Sequence, residues 1–219
     1  LPVSVVFEGH KVLEGRDLNA GEFEFELYRS DDLGTLLGMP LAVVTNAADG
    51  TVLFDPLTFE FGQEGTYYFV IVEKAGSLGG VDYDENHIRI KVVIVDDLEG
   101  QMEAFVDYED ELQTFVNLYE AQPVDVRIEG MKALIGRNLL DEEFEFELLD
   151  EEHRIVATAK NIAGKIVFDL TFEEIGIYEF TLREIAGTLP YVEYDESEFD
   201  IKVIVTDDLE GQLLARVEH

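Results

Sequence analysis

Apolar and polar residues alternate with a period of two along most of the chain. The stretch Glu22-Phe23-Glu24-Phe25-Glu26-Leu27 predicts a strand with Phe23, Phe25 and Leu27 toward a core and the carboxylates toward water. The same period predicts strands at 41–45, 52–54, 66–73, 88–95 and 101–108. The acidic sequence Asp96-Asp97-Leu98-Glu99-Gly100 reads as a hairpin turn, with Gly100 taking a positive φ that a Cβ would disfavour. Between Ser30 and Met39 the residues predict a polar, glycine-containing loop. No stretch shows a helical period.

The pattern is written twice. Val5-Val6-Phe7-Glu8-Gly9-His10-Lys11-Val12-Leu13-Glu14-Gly15-Arg16-Asp17-Leu18 recurs from Val126 to Leu139, with Lys11 and Lys132 at the same place. Two strands end on an inward glutamate, Glu73 after Phe69 and Ile71, and Glu184 after Phe180 and Leu182. Val81-Asp82-Tyr83-Asp84 is matched by Val192-Glu193-Tyr194-Asp195, and the acidic turn returns at Asp207 to Gly211. The copies then diverge. The first runs on into Thr114-Phe115-Val116-Asn117-Leu118-Tyr119, with Phe115, Asn117 and Tyr119 in phase, and the second has no equivalent up to His219. Short strands at this spacing predict two tandem immunoglobulin-like β-sandwich domains, residues 1–120 and 121–219, the second lacking its last strand.

Composition narrows the function classes. The 219 residues allow each copy its own core. With 15 basic against 49 acidic residues and a net charge of -34, the chain repels nucleic acid and anionic membrane. No apolar run is long enough to cross a bilayer as a helix, so no membrane insertion is expected. Cysteine is absent, so any covalent staple of these β-domains must use other chemistry.

Three polar residues of the first copy fall on apolar strand faces: Lys11, Glu73 and Asn117. Lys11 shares a face with Phe7, Gly9 and Leu13, so its ammonium points where the apolar residues point. In a dry site, an amine and a carboxamide in contact condense to an amide with loss of ammonia. Burial lowers the lysine pKa to free the nucleophile and raises the glutamate pKa so that the acid can carry a proton.

The series Lys-x-Leu-x-Gly-Arg-x-Leu at Lys11 to Leu18, Gly-Glu-Phe-x-Phe-x-Leu from Gly21, a strand ending in Glu73, Tyr83-Asp84 before a β-run, and Phe115-x-Asn117-x-Tyr119 resembles the streptococcal pilin isopeptide linkage domain. That family is related to the Cna B-type sandwich and includes pilin backbones and adhesin stalks of Gram-positive bacteria. The resemblance implies linking lysines at Lys11 and Lys132, catalytic glutamates at Glu73 and Glu184, and a linking asparagine at Asn117. Lys132 has no partner asparagine in its own copy and is expected to be unlinked.

The implied role is an extracellular stalk or shaft module at the cell surface or cell wall, a self-modifying structural protein and not an enzyme. Its expected partners are neighbouring repeats or pilin subunits. The alternative is an adhesin module whose loops bind a host protein or glycan. A glycan-processing enzyme is disfavoured because the acids follow strand alternation outward. No cofactor or metal is expected: His10, His87, His153 and His219 lack ligand spacing, and the acidic turns lack the alternating oxygens of a calcium loop.

Overall fold

The computed structural model describes residues 1–109 and 113–219. Its contacts divide the chain into two compact units, Leu1–Glu120 and Ala121–His219. Among the described residues no helix forms.

The first unit contains β1 (Val3–Val5), β2 (Glu8–Glu14), β3 (Glu24–Ser30), β4 (Leu36–Thr45), β5 (Thr51–Leu53), β6 (Leu57–Phe59), β7 (Gly65–Glu73), β8 (Val81–Asp82), β9 (His87–Asp96), β10 (Met102–Tyr108) and β11 (Thr114–Tyr119). A five-stranded sheet in the order β10-β9-β7-β3-β4 faces a four-stranded sheet in the order β5-β2-β11-β8, while β1 and β6 pair separately. Among the described residues of this unit the strand pairings are antiparallel except one: β11 lies parallel to β2, with Phe115 opposite Lys11 and Asn117 opposite Leu13. The core takes Phe25, Phe69, Ile71 and Phe115 from inward positions of both sheets and Phe7 from the link between β1 and β2, each fully buried.

One predicted loop is a hairpin instead. Ser30 pairs with Leu36, and Leu36–Thr45 is continuous strand. The turn needs only Asp31 to Thr35, because the Asp31 carboxylate accepts from the Leu33 and Thr35 amides and Gly34 takes φ of 85°. Exposed apolar residues at Leu36, Leu37 and Met39 hid the strand from a pattern that looks for alternation.

The second unit contains β12 (Val124–Met131), β13 (Glu145–Asp150), β14 (Ile155–Lys160), β15 (Lys165–Phe172), β16 (Gly176–Glu184), β17 (Glu198–Asp207) and β18 (Leu213–Glu218). Its larger sheet runs β14-β13-β16-β17-β18, and the smaller holds only β12 and β15. Here β15 is unbroken where the first unit has β5 and β6. Pro56, which has no counterpart in Phe168-Asp169-Leu170, deprives the first unit of a ladder donor at that point. No strand of the second unit corresponds to β11, and β12 stops at Met131, whereas β2 continues past Lys11 to Glu14. The stretch after Lys132 lacks the strand that keeps its first-unit equivalent extended.

Both acidic turns are hairpins. Gly100 and Gly211 have φ of 96° and 97°, and Leu98 and Leu209 are left-handed as well. Asp96 and Asp97 accept backbone amides of their own turn, as do Asp207 and Asp208. Among the described residues no group of His, Asp or Glu is arranged to hold a metal ion.

Candidate functional site

The four-stranded sheet brings β2 and β11 together, and β7 passes across them in the opposing sheet. Lys11, Asn117 and Glu73 meet between the layers. Lys11 Nζ donates to Glu73 Oε2 at 2.8 Å, and Asn117 Nδ2 donates to Glu73 Oε1 at 2.6 Å. Both Lys11 and Glu73 side chains are fully shielded from solvent, and Asn117 is equally buried. One carboxyl group therefore bridges an amine and a carboxamide.

The surroundings are dry and aromatic. The Phe23 ring lies 4.7 Å from Lys11 Nζ, and the Phe25 and Phe115 rings pack at 5.2 Å. Burial pushes the Lys11 amine below its ordinary pKa, against the opposing pull of Glu73 and of the Asp84 charge. Burial also pushes the Glu73 carboxyl up, outweighing its bonds to Lys11 and Asn117. Both shifts favour the neutral forms, because a low-dielectric site penalises charge more than this pairing recovers.

A further residue belongs to the site although its pattern alone gave it no role. The Asp84 amide donates to Asn117 Oδ1 at 2.7 Å, and Asp84 Oδ2 accepts from the Val116 amide at 2.7 Å. Asp84 thus fastens the loop before β9 to β11 and aims a donor at the carboxamide oxygen. Its repetition as Asp195 was the available signal.

Asn46 and Asn161 are buried asparagines of a different kind. Asn46 Oδ1 accepts the Phe23 amide and its Nδ2 donates to the Asn19 and Ala47 carbonyls. Asn161 makes the matching bonds to Phe144 and Leu140. They brace loops, and their carboxamides face backbone and not an amine.

In the second unit Lys132 Nζ donates to Glu184 Oε2 at 2.5 Å and lies 4.5 Å from the Phe144 ring. Its side chain retains 11% exposure, against none for Lys11. No asparagine accompanies this pair.

A family model described as FctA, the Spy0128-like isopeptide containing domain, matches residues 7–120 and again 128–219. Among solved structures, the T-13 major pilin of Streptococcus pyogenes is 17% identical, with 85% of this chain and 84% of that chain covered and a TM-score of 0.39. Another Streptococcus pyogenes major pilin is 14% identical, with 84% and 82% covered and a TM-score of 0.36. GBS52, the minor pilin of Streptococcus agalactiae, is 16% identical, with 89% of each chain covered and a TM-score of 0.26. No curated protein matches the chain.

Proposed function

The chain belongs to the Spy0128-like isopeptide containing domain family, and from that premise we propose that it is a structural shaft or stalk module of a Gram-positive cell surface, stiffened by a bond that its first unit makes within itself. The bond joins Lys11 to Asn117. The neutral Lys11 amine attacks Asn117 Cγ while the Asp84 amide stabilises the charge developing on Oδ1. Glu73 gives its proton to the departing Nδ2 and takes one from the attacking nitrogen. A Cγ–Nζ bond forms, the Cγ–Nδ2 bond breaks, and ammonia leaves, with Glu73 unchanged at the end.

The observation that carries this reading is the buried Glu73 carboxyl hydrogen-bonded to both the amine and the carboxamide. The reaction happens once per molecule, so the chain has no turnover and no external substrate. Neighbouring shaft subunits are its partners, at the cell wall.

Intact-mass spectrometry tests the proposal. The purified chain should be lighter than its sequence by one ammonia and not two, and Glu73→Gln should have its full calculated mass. A full-mass wild-type chain would refute the bond.

A further inference from the structure

We propose that Tyr83 is a positioning residue of the Lys11 site: it holds the Phe23 ring over the amine and closes the site against water. The role rests on the bond proposed between Lys11 and Asn117.

The sequence places a tyrosine before the acid in both copies, as Tyr83-Asp84 and Tyr194-Asp195, and the chemistry so far uses only the acid. The structure gives the tyrosine a place of its own. Its ring meets Phe23 edge-on, with centroids 5.8 Å apart and planes at 72°, and the Phe23 ring in turn lies 4.7 Å from Lys11 Nζ. The three form a file from the surface inward: Tyr83 is half-buried, Phe23 is buried, and the Lys11 side chain is wholly shielded. Tyr194, Phe144 and Lys132 repeat that file in the second unit, at 5.7 and 4.5 Å.

The hydroxyl ties down a loop. Tyr83 Oη accepts the Leu78 amide at 3.2 Å, and Gly76 passes so close that a Cβ there would overlap the hydroxyl. Tyr194 accepts the Leu189 amide at 3.1 Å beside Gly187 in the same way. Gly76 is not in the left-handed region, so the glycine answers to space and not to backbone conformation. The loop leaves Glu73 at the end of β7 and returns at Val81, opposite Tyr119 of β11, where the Gly80 carbonyl accepts the Glu120 amide. Three residues further on, the Asp84 amide reaches Asn117 Oδ1. Tyr83 therefore sits in a segment that begins at the proton carrier and ends at the donor to the carboxamide.

A cavity of about 380 Å³ adjoins this segment, lined by Glu73, Val81, Tyr83 and Asp84 among others. The Glu73 side chain is nonetheless fully shielded from solvent. Without the Tyr83 ring the cavity extends to Phe23, and a polar space of that size takes up water. An aromatic face attracts an ammonium, so Phe23 does not itself make Lys11 neutral. Burial does, against the charges of Glu73 and Asp84. Water at the site returns the proton from Glu73 to Lys11 and leaves an ion pair that cannot react. Each unit of pKa that the two groups recover lowers the reactive form about tenfold.

The test refolds the whole chain at a series of pH values and follows ammonia loss by intact mass. The rate falls where the Lys11–Glu73 pair gains a second proton or loses its only one, and Asp84 is the other charged group that bears on both limits. Tyr83→Ala should slow the loss about tenfold or more and move the limits apart, the acid one down toward the ordinary carboxyl range and the alkaline one up toward the ordinary amine range. Tyr83→Phe keeps the ring on Phe23 and should leave both limits in place. Gly76→Ala pushes the hydroxyl away and should move the limits as Tyr83→Ala does, to a smaller extent; it carries the test if Tyr83→Ala does not fold. Bond formation in Tyr83→Ala at the wild-type rate, or a slower rate with unmoved limits, overturns the role, while a wild-type chain one ammonia light keeps the bond. A full-mass wild-type chain refutes the bond and this role with it.

Discussion

Lys11 and Asn117 lie on neighbouring parallel strands but are not rung partners: Phe115 faces Lys11, and Asn117 faces Leu13. The two side chains reach one another diagonally, over Glu73 of the opposing sheet. A bond there joins the first long strand of the unit to its last. With the proposed bond in place, tension applied at the ends of the unit passes through side chains and bypasses the hydrogen-bonded body between them.

Single-molecule pulling should read this directly. The bonded unit should yield no extension from residues 11 to 117. Asn117→Ala should release that segment, a lengthening of roughly 350 Å at about 3.3 to 3.6 Å per residue. Equal extension from both proteins would refute the bypass.

Asn117→Ala should also lower equilibrium stability. Opening a closed loop of this length costs about 4 to 5 kcal/mol through the unfolded state, by analogy with disulfides. Leaving Glu73 Oε1 without its donor adds about 1 to 3 kcal/mol. Denaturant unfolding of the first unit should show a midpoint shift of that size. The second unit, whose core is its own, should melt as before.

Much of the site was legible in the sequence because inward strand positions are fixed by alternation. Lys11, Glu73 and Asn117 each break an apolar face, and the repeat showed that Lys132 and Glu184 do so again. What alternation does not encode is contact across sheets. Asp84 contributes a backbone amide, which no side-chain pattern reveals. Glu22, assigned to water by its period, is 11% exposed because Arg16 Nη2 draws it in at 2.5 Å. Asn46 and Asn161 sit in turns, where asparagine is common, so their burial gave no signal of its own.

Asp84 should act as a positioning residue. Asp84→Ala removes the acceptor for the Val116 amide and loosens the loop whose own amide holds Asn117 Oδ1. Losing one such donor from a developing oxyanion costs about a hundredfold or more in rate. The variant keeps that amide and loses only its anchor, so a time course of ammonia loss after refolding should slow by up to that order and still end at the same mass. Asp84→Asn, which keeps an oxygen acceptor, should recover most of the rate; unchanged kinetics in Asp84→Ala would remove the residue from the mechanism.

The rate of bond formation should follow a bell-shaped pH profile drawn inward at both limbs. The reactive pair holds a single proton, on Glu73, beside a neutral amine. At low pH a second proton makes Lys11 an ammonium, which cannot attack. At high pH the pair loses its proton, and the free amine faces a carboxylate with nothing to give the leaving nitrogen. Burial raises the Glu73 pKa, so the acid limb lies above the usual carboxyl range, and lowers that of Lys11, so the alkaline limb lies below the usual amine range. Refolding at a series of pH values, with mass analysis at fixed times, should give a plateau between the two limbs that falls on both sides. A rate rising steadily with pH through the ordinary lysine range would mean that Glu73 carries no proton, and that the amine alone controls the reaction.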